Sequence, residues 1–69
     1  MSDVLKVIEV LAESEQSWED AAAKAIEEAS KSLRGITSIY IKNFDAKVEG
    51  DKIIQYRINA QITFRLEQK

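Results

Sequence analysis

The chain has no cysteine, no histidine and no proline, and only two glycines among its 69 residues. Without cysteine there is no disulfide framework, and without cysteine or histidine there is no ordinary zinc site. The usual nucleophile and base pairs are missing too, and the sequence has no glycine-rich phosphate loop. Carboxylates such as Glu9 and Glu67 remain as acids or bases, but nothing in the sequence pairs them, so the protein is not expected to be an enzyme. Charge of one sign is also lacking: the net charge is −2. No basic excess invites nucleic acid or an anionic membrane, and neither is expected as a partner. The apolar run after Met1-Ser2-Asp3 is broken by Lys6 and Glu9, which suits neither an export signal nor a membrane span. Cytoplasm is therefore the expected compartment.

What remains is a chain 45% hydrophobic and 32% charged, the balance of a globular protein. One domain over residues 1–69 is expected. A chain this short buries only about 60% of its unfolded surface. With disulfides and zinc excluded, association is the remaining route to a stable fold.

Hydrophobic periodicity divides the chain into four elements. Val4 to Leu11 is apolar and β-branched, the pattern of a strand. It is apolar on both faces, with Val4, Ile8 and Val10 on one and Leu5, Val7 and Leu11 on the other. Such a strand is expected at the centre of a sheet or at a subunit contact. From Ser17 to Arg34 the period becomes 3.6, with Trp18, Ala21, Ala22, Ala25, Ile26, Ala29 and Leu33 on one stripe. Ser17 with Asp20 resembles a capping box, and Ser14 is a rival cap. Glu19 and Asp20 suit the start of the helix dipole and Lys31 and Arg34 its end, where Gly35 can stop the helix. The alanines let the helix axis sit close to whatever it covers.

Ile36 to Val48 reads as a second strand with a change of phase. Ile39 and Ile41 share one phase and Phe44, Ala46 and Val48 the other, which predicts a β-bulge near Lys42-Asn43. Glu49-Gly50-Asp51-Lys52 is a hairpin turn. In the third strand Ile54, Tyr56, Ile58, Ala60, Ile62, Phe64 and Leu66 alternate with Gln55, Arg57, Asn59, Gln61, Thr63 and Arg65. A strand of that length spans about 40 Å, so it should curl around the helix and overhang it. The expected fold is α+β: a single β-α-β-β domain with one helix packed on a curled three-stranded antiparallel sheet.

This order of elements, at this length, resembles the dodecin family. Lys6-Val7-Ile8-Glu9-Val10 is similar to the family's opening strand, and Ser14 before an alanine-rich helix to its helix start. Ser32-Leu33-Arg34 resembles the family's helix end, and Phe64-Arg65-Leu66-Glu67 its closing motif. The resemblance covers nearly the whole chain. It implies a hollow homododecamer, with helices outside and sheets lining the interior, that binds or stores flavins such as riboflavin or FMN without turnover.

The chain departs from the flavin-binding pattern at two positions. A tryptophan that stacks on the flavin is replaced by Ser38, and a glutamine on the third strand by Arg57. The Ser17-Trp18-Glu19 helix start looks closer to a flavin-lacking branch that includes a calcium-binding dodecin. The implied function is thus a small-ligand-binding or storage particle without the usual stacked flavin pair. The alternatives are a flavin-binding member that tolerates Ser38 and Arg57, and a calcium-binding or structural shell.

Individual residues keep two readings each. Trp18 covers a core edge or stacks on a ligand. Arg57 pairs with a carboxylate of a neighbouring subunit or binds an anion. Arg65 reads likewise, with Glu67 as a candidate partner. Asp45, Glu49 and Asp51 are solvated acids near a turn or, gathered by symmetry, ligands for calcium, although they match no EF-hand loop.

Overall fold

The computed structural model describes residues 4–66. Strand β1 (Leu5–Ser14) leads into helix α1 (Trp18–Ala29), and two long strands follow, β2 (Ile36–Glu49) and β3 (Lys52–Arg65). The sheet is antiparallel with order β1-β3-β2. The α+β architecture expected from the sequence is therefore the one observed, with one helix on one face of a three-stranded sheet.

β3 is the central strand and β1 lies at an edge. This corrects one of the two expectations for β1: its two apolar faces do not reflect a central position. Leu5, Val7 and Leu11 point away from the helix and are 51%, 52% and 70% exposed. β1 also runs three residues further than its apolar stretch, because Ala12, Glu13 and Ser14 continue to pair with Ile58, Arg57 and Tyr56.

The helix ends earlier than its periodicity implies, at Ala29 rather than Arg34. Ser30 and Ser32 follow Ala29, and serine competes for backbone hydrogen bonds in a helix interior. The chain instead tightens into shorter turns, with the Lys31 amide donating to the Glu28 carbonyl and the Ser32 amide to that of Ala29. Lys31 and Arg34 consequently fall beyond the helix, and Lys31 pairs with Glu28 at 2.8 Å. Gly35 has a positive φ of 76°, but it opens β2 rather than capping α1. A Cβ there would stand 3.0 Å from the Arg65 carbonyl oxygen, so glycine permits the close approach of β2 to β3.

At the other end of α1, Ser17 is the cap and accepts from the Asp20 amide at 2.9 Å. Ser14 does not cap the helix but supports the cap. Its buried hydroxyl donates to the Asp20 carboxylate at 2.6 Å and accepts from the Gln16 amide at 2.9 Å. Asp20 thus reaches back past the cap to the end of β1, tying strand and helix start together.

The phase change in β2 is a bulge as expected. Between Ile41↔Ala60 and Asn43↔Asn59 the register shifts, with Lys42 as the extra residue. Ile39, Ile41, Phe44 and Ala46 thereby oppose Ile62, Ala60, Ile58 and Tyr56 on one face of the sheet. Two further shifts had no clear pattern in the sequence, at Thr37 and, near the hairpin, at Ile54 of β3. The second breaks the even alternation of β3 at its first turn-proximal residues, where Ile53 and Ile54 are both exposed. Gly50 has a φ of 64° and Asp51 has none of positive sign, the pattern of a type II′ hairpin turn.

The core lies where α1 crosses β3. Ala21, Ile58 and Ala60 are fully enclosed, with Val10, Ala12, Trp18, Ala22, Ile39 and Ile41 packed around them. Ala21 is the stripe residue at the tightest contact, whereas Ala25 and Ala29 are only half-buried. Ala21→Leu is accordingly expected to overpack the helix–sheet contact and cost about 1–3 kcal/mol, more than the same change at Ala25. Thermal melts of the two variants compare them; equal melting temperatures would show that Ala21 does not set the helix height.

The Ser14 hydroxyl holds the Asp20 carboxyl below its ordinary value of 3.8, assisted by Lys24 at 3.3 Å and opposed by partial desolvation. A lowered pKa stabilises the fold above the ordinary value, and that contribution disappears as pH falls through the lowered one. The melting-temperature gap between the native chain and Asp20→Asn should therefore be constant near neutrality and close below about pH 4. A gap independent of pH would remove the charge from the account of the helix start.

Candidate functional site

The sheet face turned away from α1 carries the polar side chains of β3, and the pairing register arranges them in rungs. Val7, Thr63 and Ser38 share one rung; Glu9, Gln61 and Tyr40 the next; then Leu11, Asn59 and Asn43; then Glu13, Arg57 and Asp45. Two charge networks cross this face. The Arg57 guanidinium donates to Asp45 at 3.1 Å and lies 3.5 Å from Glu13, so one cation bridges both edge strands. Lys42, set free by its bulge, reaches over β3 to Glu9 at 3.0 Å.

Arg57 thus finds carboxylates within its own chain, where the sequence suggested a neighbouring subunit. With its side chain about half exposed, these pairs fix its orientation more than they stabilise the fold. Beside it, Leu11, Asn43, Asp45, Arg57 and Asn59 line an open cavity of about 350 Å³. The Asn59 side-chain oxygen is itself enclosed, with no hydrogen-bond partner among the described residues. Nothing in the alternation of β3 distinguishes Asn59 from Gln55 or Gln61, and the unmet acceptor appears only once the strands are paired.

Ser38 is exposed on the same face, opposite Thr63. It lies six residues of β3 from Arg57, about 20 Å at strand spacing, so the two expected ligand positions do not meet within one chain. Ser38 offers a hydroxyl and no ring, and Arg57 offers only donors, already directed at carboxylates. This pair does not fit a flavin stacked and hydrogen-bonded in the manner the resemblance implies.

Trp18 closes the end of the core. Its indole N–H donates to the Asp45 carbonyl at 2.9 Å, and its ring meets Tyr56 and Phe44 edge-on at 4.9 and 5.8 Å. Of its two readings the structural one holds within the chain. Asp45 is turned to Arg57, while Glu49 and Asp51 are exposed at the hairpin, and among the described residues no three acidic side chains converge on a point that would hold a metal. Glu67, the suggested partner of Arg65, lies outside the described residues. No described helix is long and apolar enough to cross a membrane.

Comparison with known proteins agrees with this geometry. The dodecin family model matches residues 4–67. The calcium dodecin of Mycobacterium tuberculosis is 35% identical over 63 residues, covering 91% of this chain and 89% of that protein. Its crystal structure is described as that of a calcium-chelating immunodominant antigen with a novel calcium-binding site. It superposes with a TM-score of 0.79 over 93% of this chain and 91% of that one. A tryptophan-to-phenylalanine variant of the T. thermophilus dodecin is 27% identical, with a TM-score of 0.92 over 97% of this chain and 100% of that one. The dodecin from Streptomyces davaonensis, 16% identical with a TM-score of 0.92 over 99% of this chain and 100% of that one, shares the fold. With the family pattern spanning nearly every residue and the strand order, helix and bulged β2 in place, this chain belongs to the dodecin family.

Proposed function

We propose that the chain is a ligand-binding or storage dodecin that assembles into a hollow homododecamer and holds a small ligand other than a stacked flavin. The observation that carries this reading is the Glu13–Arg57–Asp45 bridge on a sheet face that also bears Ser38. Ser38 offers no indole to stack on a flavin, and the Arg57 donors are already turned to carboxylates.

Assembly has its own support in exposed surface. The chain exposes 5358 Å², whereas a compact monomer of 7.8 kDa exposes about 4,400 Å². Its radius of gyration is 14.3 Å, against about 11 Å for a compact domain of this length. Light scattering should give about 94 kDa, twelve times the 7.8 kDa chain; a folded monomer at micromolar concentration would contradict the assembly.

A second reading, a calcium-binding shell, is favoured by the 35% identity to the calcium dodecin. Because no acidic cluster forms among the described residues of one chain, its carboxylates would come from more than one copy. Calorimetric titration of chelator-treated protein with calcium would then give less than one ion per chain.

Riboflavin should be quenched weakly by the native protein. An aromatic pair adds about 0.5–1.5 kcal/mol beyond its buried area, and an unpaired buried polar group costs about 1–3 kcal/mol. Ser38→Trp with Arg57→Gln should therefore tighten riboflavin about a hundredfold. Strong quenching by the native protein would overturn the non-flavin reading. No gain in the double variant would show that these two positions do not form the ligand contact.

A further inference from the structure

The apolar groove between α1 and β1 and the bare hairpin tip are surfaces of the kind that assembly covers. The cavity of about 350 Å³ on the outer sheet face has a different chemistry. Its walls carry one carboxylate, Asp45, and one guanidinium, Arg57, beside the Asn43 and Asn59 amides and the apolar Leu11. That volume lies at the lower end of the range of small-molecule sites, about 300–1,000 Å³.

Three strands bring these groups together. The bulge at Lys42 sets Asn43 and Asp45 on the outer face, on the rungs that carry Asn59 and Arg57. Leu11 joins the Asn59 rung from β1 and is 70% exposed. Arg57 donates through Nε to one Asp45 oxygen at 3.1 Å and through Nη1 to Glu13 at 3.5 Å, which uses two of its five N–H donors. The second Asp45 oxygen and the other guanidinium donors are left for a ligand.

Such a pair selects by charge. A lone anion drawn to Arg57 meets Asp45 and Glu13, and a lone cation drawn to Asp45 meets Arg57. A molecule with one charge of each sign meets an opposite charge at both. Around the pair, Glu13 and Lys47 are of opposite sign and Lys42 is matched by Glu9, so these neighbours add no net charge.

We propose that this cavity binds an α-amino acid with an aliphatic side chain. Its carboxylate lies on Arg57, its ammonium on Asp45 and its side chain against Leu11, while the exposed Asn43 amide offers a further hydrogen bond. The two charges of an α-amino acid are one carbon apart, which suits partners that themselves touch. Each exposed contact is weak and screened by salt, so affinity depends on meeting both charges and Leu11 at once. This rests on the ligand-holding, non-flavin reading above and names the ligand class.

Equilibrium dialysis of the native protein against radiolabelled L-leucine in low-salt buffer tests it. Among competitors, 3-methylbutylamine keeps the side chain and the ammonium, 4-methylpentanoate keeps the side chain and the carboxylate, and glycine keeps both charges alone. Leucine should be retained saturably, and each competitor should displace it about tenfold less effectively than unlabelled leucine does, or worse. Arg57→Gln and Asp45→Asn should each weaken retention by about tenfold or more at an unchanged native mass. An amine as effective as leucine would overturn the proposal in favour of a cation site, and an acid as effective would overturn it in favour of an anion site. Full retention by both variants would overturn the placement at Arg57 and Asp45. No saturable retention, with riboflavin still weakly quenched, would overturn this ligand class and leave the non-flavin reading standing. Strong riboflavin quenching with no leucine retained would overturn both. If a variant fails to assemble, the competition series on the native protein decides.

Discussion

A twelve-residue helix spans about 18 Å, while each of the two fourteen-residue strands spans about 46 Å. One such helix covers less than half of the ribbon it packs on. Burial follows that limit closely. β3 is enclosed from Ile58 to Phe64 on its helix side, where α1 and β1 overlap it, and its side chains become exposed again toward Ile53. The extra length cannot curl back to meet the helix within the chain, because Trp18, Phe44 and Tyr56 already close that end of the core. The small core, the open groove and the bare hairpin all result from this mismatch of lengths.

The same mismatch explains which parts of the fold are legible in the sequence. β3 announces itself because a central strand under a helix must alternate, and it does so where it is buried. The bulge at Lys42 is legible because both halves of β2 must face one core, so the shift from Ile41 to Phe44 leaves a visible change of phase. The order of strands is not legible from β1. Its two apolar faces have two different causes, the core for Ile8 and Val10 and an uncovered outer surface for Leu5, Val7 and Leu11. The helix end was obscured because Ala29 to Leu33 keeps a coiled path in tighter turns that preserve the apolar spacing. The shift at Ile54 leaves little trace because Ile53 and Ile54 are alike and neither is buried in the chain.

On the outer face, sequence identified the departures at Ser38 and Arg57 but not what Arg57 does. Its partners, Glu13 and Asp45, sit on strands far apart in sequence and meet only because β3 lies between β1 and β2. Of the carboxylates that suggested calcium only Asp45 joins this rung, where it and Glu13 flank the Arg57 guanidinium; Glu49 and Asp51 stay at the hairpin. A ligand on this face would meet amides, hydroxyls, one exposed phenol and the exposed Val7 and Leu11 beside a rung of two carboxylates and one guanidinium.

Leu5, Val7, Leu11 and the hairpin isoleucines are exposed in the single chain, and the proposed assembly is what would cover them. Urea unfolding across a hundredfold range of protein concentration tests this most directly, since a ligand-free assembly that dissociates as it unfolds is stabilised by mass action. The account predicts a midpoint that rises steadily with protein concentration. A midpoint that does not move, for a protein that is a folded monomer throughout the range, would contradict it.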